Sequence, residues 1–139
     1  IVTKALSLLH DGQVIIMSGG STNIVFAKLI PSDLKATIYT YSLPIAMQLS
    51  QHPNIDLIFI GGKMQKNAMV TIGMDVIQVL SKIKADICFI GASSINVKQG
   101  LTEVGYEISI VKKAMIESSD RVVSMFSSNK LNTKMSKTN

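Results

Sequence analysis

The chain has 139 residues, 47% of them apolar and 17% charged, with nine Gly, three Pro and a single cysteine, Cys88. The apolar share excludes a disordered chain, the unpaired cysteine excludes a disulfide framework and fits a reducing compartment, and no apolar run approaches the roughly 18 residues of a membrane-crossing helix. Fourteen basic against nine acidic residues give a net charge of +5, but the lysines are spread along the chain and the few aromatics form no base-stacking platform, so the surplus reads as solvated surface rather than a nucleic-acid footprint.

The length suits one domain that folds without metal or disulfide. The first residue is Ile1, inside a helix-like pattern, which leads us to expect a further segment ahead of it. Residues 14–17 (VIIM) are a short apolar run closed by Ser18-Gly19-Gly20. A helix over 24–30 follows. Residues 37–41 (TIYTY) are β-branched and aromatic. Ser42 then suits an N-cap, with Pro44 in the first turn of a helix over 44–51. Residues 55–60 (IDLIFI) end in Gly61-Gly62. Val76, Ile77, Leu80 and Ile83 recur at helical spacing over 73–83. Residues 87–90 (ICFI) end in Gly91. A helix over 103–119 carries Val104, Ile108, Val111 and Met115 on one face, with Lys112 and Lys113 off it. Residues 121–126 (RVVSMF) end in Ser127-Ser128. Continuous Val/Ile runs closed by Gly or Ser read as buried parallel strands. Five of them alternating with helices predict an α/β fold: an open, mostly parallel sheet with helices on both faces. The polar stretch 131–139 is expected to fray.

The small and polar residues collect just after each strand. These are "SGGSTN" (18–23), Ser42, "GGKMQK" (61–66), "GASSINVKQGLT" (91–102) and "SSNK" (127–130). Ligands of open parallel sheets bind outside the carboxyl ends of the strands. The first loop has the clearest mechanism. Gly19 and Gly20 let a ligand approach the main chain, and Ser21 and Thr22 begin a helix whose free N–H groups and dipole favour an anion. A phosphate is the natural guest, although a strand-to-helix turn also uses glycine and a cap for structural reasons. The spacing matches neither a Walker A loop nor a dinucleotide fingerprint. Lys63 and Lys130 each follow a strand end and could place an ammonium on a phosphate. Glu103 and Glu107 are the carboxylates nearest that rim. His10 and His52 fall on the opposite rim and read as surface or structural, and Asp56 and Asp86, at strand beginnings, fall on that side too. Cys88 sits inside a strand with no base to activate it. No metal-ligand cluster and no cofactor motif is present.

The segments "IIMSGGSTN", "TIYTYSLPIAMQL", "LIFIGGKM", "ADICFIGASSI", "GLTE" and "VKKAMIESSDRVV…NK", in this order, resemble the carboxy-terminal effector domain of DeoR-family transcriptional regulators. The resemblance runs from about residue 1 to 134. It implies a fold similar to ribose-phosphate isomerases and glucosamine-phosphate deaminases. It also implies a phosphorylated sugar or similar small anionic metabolite as partner, and cytoplasmic location. Assembly as a homodimer or homotetramer is expected, as is DNA contact through an amino-terminal helix-turn-helix domain that this chain lacks. Residues 135–139 would then be a polar tail. The family's phosphate-cradling loop falls on Gly19, Gly20, Ser21 and Thr22, and its second glycine pair on Gly61 and Gly62. Its "GA" turn falls on Gly91 and Ala92, followed by Ser93 and Ser94, its "GLT" on Gly100, Leu101 and Thr102, and its late lysine on Lys130. Two positions depart from the pattern: many members carry Asp where Ser18 stands and Asn where Tyr41 stands.

Three functions remain open at this level: a sugar-phosphate sensor, an isomerase or deaminase on the same fold, and an oligomerisation module. Isomerisation needs a positioned base, and Gly91-Ala92-Ser93-Ser94 offers no acid where the related enzymes are expected to carry one. In the sensor reading the phosphate takes the Gly20–Thr22 region and a lysine, while sugar hydroxyls meet Ser42, Ser93 and Glu107.

Overall fold

A computed structural model describes residues 2–91, 103–125 and 131–134. The chain runs α1 (Val2–Leu6), β1 (Val14–Met17), α2 (Ser21–Leu29), β2 (Ala36–Thr40), α3 (Leu43–Leu49), β3 (Ile55–Phe59), β4 (Lys63–Gln65), β5 (Val70–Ile72), α4 (Met74–Ser81), β6 (Ala85–Ile90), α5 (Glu103–Glu117), β7 (Ser119–Met125) and β8 (Leu131–Lys134). Six strands form one sheet in the order β3-β2-β1-β6-β7-β8. The first five are parallel, and β8 returns antiparallel along β7, with Val123 opposite Thr133. The expected α/β class is therefore what the chain adopts.

Alternation along each strand sends neighbouring side chains to opposite faces. On one face, Ile15, Met17, Ile38, Phe89 and Val123 pack against Ala5 of α1, Phe26 of α2 and Ile45 of α3. On the other, Ile16, Cys88 and Val122 pack against Val76 and Leu80 of α4 and Ile108, Val111 and Met115 of α5. The Phe26 and Phe89 rings meet at 4.6 Å between centroids, tilted by 49°, and clamp α2 onto β6.

Two expectations are corrected. Residues 131–134 do not fray; they are β8. A short polar strand is what an outer sheet edge tolerates, because its main chain pairs with β7 on one side while water solvates the other. The "GGKMQK" stretch is not a simple loop. Lys63–Gln65 pairs antiparallel with Val70–Ile72 as a separate hairpin. Element ends also shift: β2 stops at Thr40, which leaves Tyr41 in the connection, β3 stops at Phe59, and α2 starts earlier, at Ser21.

Candidate functional site

The sheet order places the site. From β1 the chain proceeds outward through β2 to β3, then crosses back to β6 on the other side of β1 and continues to β7. The connections leaving β1 and β6 therefore diverge, which opens a crevice between their carboxyl ends.

Hydrogen bonds fix the floor of that crevice. The Ser18 N–H donates to the Phe89 carbonyl at 3.0 Å. The Ser18 Oγ accepts from the Gly91 N–H at 3.1 Å. Asn23, fully buried in α2, donates through Nδ2 to the carbonyls of Ser18 (2.9 Å) and Phe89 (3.1 Å). Its Oδ1 is buried and has no partner among the described residues. Gly91 is required by contact: a Cβ there would lie 2.5 Å from the Gly19 carbonyl oxygen. Gly20 is required by conformation, since its φ of 106° lies where L side chains are strained. It precedes α2, and no side chain caps that helix, so the first-turn N–H groups face the crevice unsatisfied by any cap.

A second wall comes from β2 and α3. The Thr40 Oγ1 donates to the Met17 carbonyl at 2.8 Å and accepts from the Ser42 N–H at 3.1 Å. The Ser42 Oγ caps α3 by accepting from the Ile45 N–H at 3.5 Å. Tyr41 is buried, and burial pushes its phenol well above the ordinary range, with the nearby Cys88 adding to the effect. The hairpin of β4 and β5 leans over this wall. The Leu43 N–H donates to the Met69 carbonyl at 2.9 Å and the Thr71 N–H to the Tyr41 carbonyl at 2.9 Å. Gln65 shapes its turn, its Oε1 accepting from the Ala68 N–H at 2.7 Å. Met69 closes the turn with φ 59°, in the left-handed region.

Together these walls enclose a cavity of about 320 Å³, at the small-molecule end of the range of ligand sites, roughly 300–1,000 Å³. Ser18, Gly19, Gly20, Ser21 and Ile24 line it from β1 and α2, and Tyr41, Ser42 and Pro44 from the β2–α3 corner. Asn67, Ala68 and Val70 line it from the hairpin, Gly91 from β6, and Ile108 and Lys112 from α5. Burial lowers the pKa of the Lys112 ammonium. No carboxylate stands among the described lining residues to compensate it. The cavity therefore presents an uncapped helix N-terminus on one side and a partly desolvated cation on the other, an arrangement chemically suited to an anion.

Of the residues singled out in the sequence, Ser18, Gly19, Gly20, Ser21, Tyr41, Ser42 and Gly91 meet at this cavity. Thr22 lies in α2 and Glu107 in α5, both outside the lining. Gly62 and Lys63 are also outside it. Gly62 is a packing glycine whose Cβ would come within 2.8 Å of Val76, and Lys63 is exposed at the start of β4. Ala92, Ser93, Gly100 and Lys130 lie outside the described residues. Lys112 and Asn67 were missed. Lys112 follows Ile108 by four residues, hence one helical turn, and that spacing was the available signal. Asn67 had no signal short of recognising the hairpin. On the opposite rim, the His52 Nδ1 accepts from the N–H groups of Asn54 (3.1 Å) and Ile55 (3.2 Å), and the Asp86 carboxylate accepts from the Val14 N–H at 2.8 Å. Both shape loops. Cys88 is buried, and its thiol is pushed up to about 11 by that burial. Among the described residues no cluster of three or more His, Cys, Asp or Glu could hold a metal, and no helix is long and apolar enough to cross a membrane.

The chain is thus an open α/β sheet with an anion-suited cavity at its switch point. More narrowly, residues 1–137 match the DeoR C terminal sensor domain, and the chain belongs to that family. It is 32% identical over 127 residues to the HTH-type transcriptional repressor GlcR of Bacillus subtilis, covering 91% of this chain and 48% of that protein. It is 27% identical over 131 residues to the HTH-type transcriptional regulator GolR of Listeria innocua (94% of this chain, 52% of that protein). It is likewise 27% identical over 119 residues to the glycerol-3-phosphate regulon repressor of Haemophilus influenzae (86% and 46%). The chain thus spans about half the length of these curated relatives.

Proposed function

We infer that this chain is the effector-sensing part of a DeoR-type transcriptional regulator, a repressor that responds to a phosphorylated sugar or related anionic metabolite bound in the cavity. The observation that carries this reading is the uncapped N-terminus of α2, preceded by Gly20 in a left-handed conformation and opening on a cavity that also contains Lys112. The phosphate sits against the amides of Gly20 and Ser21, and the sugar body lies toward Tyr41, Ser42 and Asn67. One of the relatives is named for a glycerol-3-phosphate regulon, which fits a small phosphorylated effector.

The whole protein would contact DNA through a helix-turn-helix domain outside this chain, act in the cytoplasm and assemble as a homodimer or homotetramer. The effector changes operator affinity only through unequal affinity for two arrangements of that assembly. An enzymatic role is disfavoured, since the described cavity lining holds neither carboxylate nor histidine to move a proton between sugar carbons.

A thermal-shift screen of sugar phosphates tests the reading. A ligand at 100 times its dissociation constant stabilises the folded state by about 2.7 kcal/mol. Stabilisation by sugar phosphates but not by the parent sugars is expected. No shift with any phosphorylated sugar would remove the sensor reading, and turnover of ribose 5-phosphate or glucosamine 6-phosphate would favour an enzyme.

A further inference from the structure

We propose that the cavity selects a doubly anionic effector, a sugar bisphosphate or phosphorylated sugar acid, with Lys112 as the residue that recognises the second anionic group. The proposal rests on the sensor reading of the same cavity.

The two positive features enter the cavity from opposite layers. The α2 helix packs on the face of the sheet that carries Met17 and Phe89, whereas α5 packs on the face that carries Ile16 and Cys88. The helix N-terminus and the Lys112 ammonium therefore reach the crevice from the two sides of the sheet edge. A single phosphate satisfies one of them well. Two anionic groups on one small body satisfy both.

Charge composition points the same way. The described residues that follow the strands on this rim, 18–23, 41–44, 60–73 and 90–91, contain no Asp or Glu. Six of the nine acidic residues, Asp11, Asp33, Asp56, Asp86, Glu117 and Asp120, fall in segments bordering the amino ends of the strands, while Asp75 and Glu103 lie in the first turns of α4 and α5 and Glu107 one turn further into α5. Lys112 makes no ion pair among the described residues and lines the cavity beside the apolar Ile108. An ammonium held partly out of water without a counter-charge is costly, and an anionic ligand group removes that cost. The described lining, which holds no carboxylate, also disfavours amino sugars, whose ammonium would meet Lys112 uncompensated.

The alternative is one phosphate bridging the α2 N-terminus and Lys112. Calorimetric titration of the chain with fructose 6-phosphate, fructose 1,6-bisphosphate, 6-phosphogluconate and glucosamine 6-phosphate separates the two. The doubly anionic ligands should bind about tenfold or more tighter than fructose 6-phosphate, and glucosamine 6-phosphate weakest. Lys112→Met should weaken fructose 1,6-bisphosphate and 6-phosphogluconate about tenfold more than it weakens fructose 6-phosphate, and so erase the preference for two charges. Lys112→Arg should keep it, and the circular dichroism spectrum and melting temperature of each variant report whether the fold is intact. Equal loss of mono- and bis-anion binding in Lys112→Met would overturn the proposal in favour of the bridging phosphate, with the sensor reading standing. Tighter binding of the monophosphate by the unaltered chain would overturn it as well. Failure of every phosphorylated compound to bind would overturn both.

Discussion

The hydroxyl of Ser18 accepts a hydrogen bond from the main-chain N–H of Gly91 at 3.1 Å, and this contact joins the two connections that diverge at the switch point. Asn23 braces the same junction from inside α2. The crevice is thus held open by a small polar knot whose members have no room to grow. Gly91→Ala would drive a methyl group into the Gly19 carbonyl oxygen, which is main chain and cannot swing aside. A loss of about 1–3 kcal/mol in urea unfolding is expected, together with weakened ligand binding, because the Gly19–Gly20 segment must shift. Ser18→Ala strands the buried Gly91 N–H and should cost a similar amount. Unfolding midpoints unchanged in both variants would show the knot to be dispensable.

The hairpin turn stores strain at Met69, whose φ of 59° is unfavourable for a residue with a Cβ. That conformation costs about 1–2 kcal/mol, while glycine's greater freedom in the unfolded chain returns roughly 0.5–1 kcal/mol of the gain. Met69→Gly is therefore expected to raise stability by up to about 1 kcal/mol, and Met69→Val to lower it, since β-branching resists this region. Melting temperatures that move in the reverse order would show the turn to be relaxed as it stands.

Alkaline pH should weaken the fold through the buried layer beneath Tyr41. The Cys88 thiol is pushed up to about 11 from an unfolded value of 9.0, and the Tyr41 phenol is raised above its ordinary 10.0. Below pH 9 both states keep the thiol protonated, and no stability is lost. Between 9 and 11 the unfolded chain releases this proton while the folded chain holds it, so stability falls with rising pH. Cys88→Ala should flatten that fall, read as melting temperature against pH from 8 to 11, although the small cavity lowers its plateau. Equal slopes in the two proteins would place the alkaline sensitivity elsewhere.

Thr22 and Ser21 should separate in their effect on binding. Ser21 lines the cavity, whereas Thr22 lies outside the lining. Thr22→Val is expected to leave sugar-phosphate affinity within about twofold. Ser21→Ala, which removes one hydroxyl from the lining, should weaken it by up to about tenfold. The reverse ranking in a calorimetric titration would require the α2 N-terminus to be turned differently toward the ligand.

Much of this was legible from residue order. Val/Ile runs closed by glycine announced the buried strands, and the gathering of Gly19, Gly20, Ser42 and Gly91 after strand ends announced a shared rim. The sheet order was not readable, because periodicity reports which face of a strand is buried and not which strand lies beside it. The hairpin stayed hidden for a similar reason: Lys63–Gln65 and Val70–Ile72 are three residues each, too short for alternation to show, and their turn uses Met rather than Gly at the left-handed position. Lys112 stands off the apolar face of its helix, a position that charged residues normally turn to water. Here that flank, one turn beyond Ile108, faces a cavity instead of water. The polarity of β8 masked it because edge strands have no need of an apolar pattern.

The central claim, that an anionic effector occupies the crevice between β1 and β6, is tested most directly by amide chemical-shift mapping with an isotope-labelled chain. Titration with a sugar phosphate should move the backbone signals of Gly19, Gly20 and Ser21 most, with Ser42, Asn67 and Gly91 following. Perturbations that leave these amides still and gather instead around His10, Asp11 and Leu34, on the opposite rim, would contradict it.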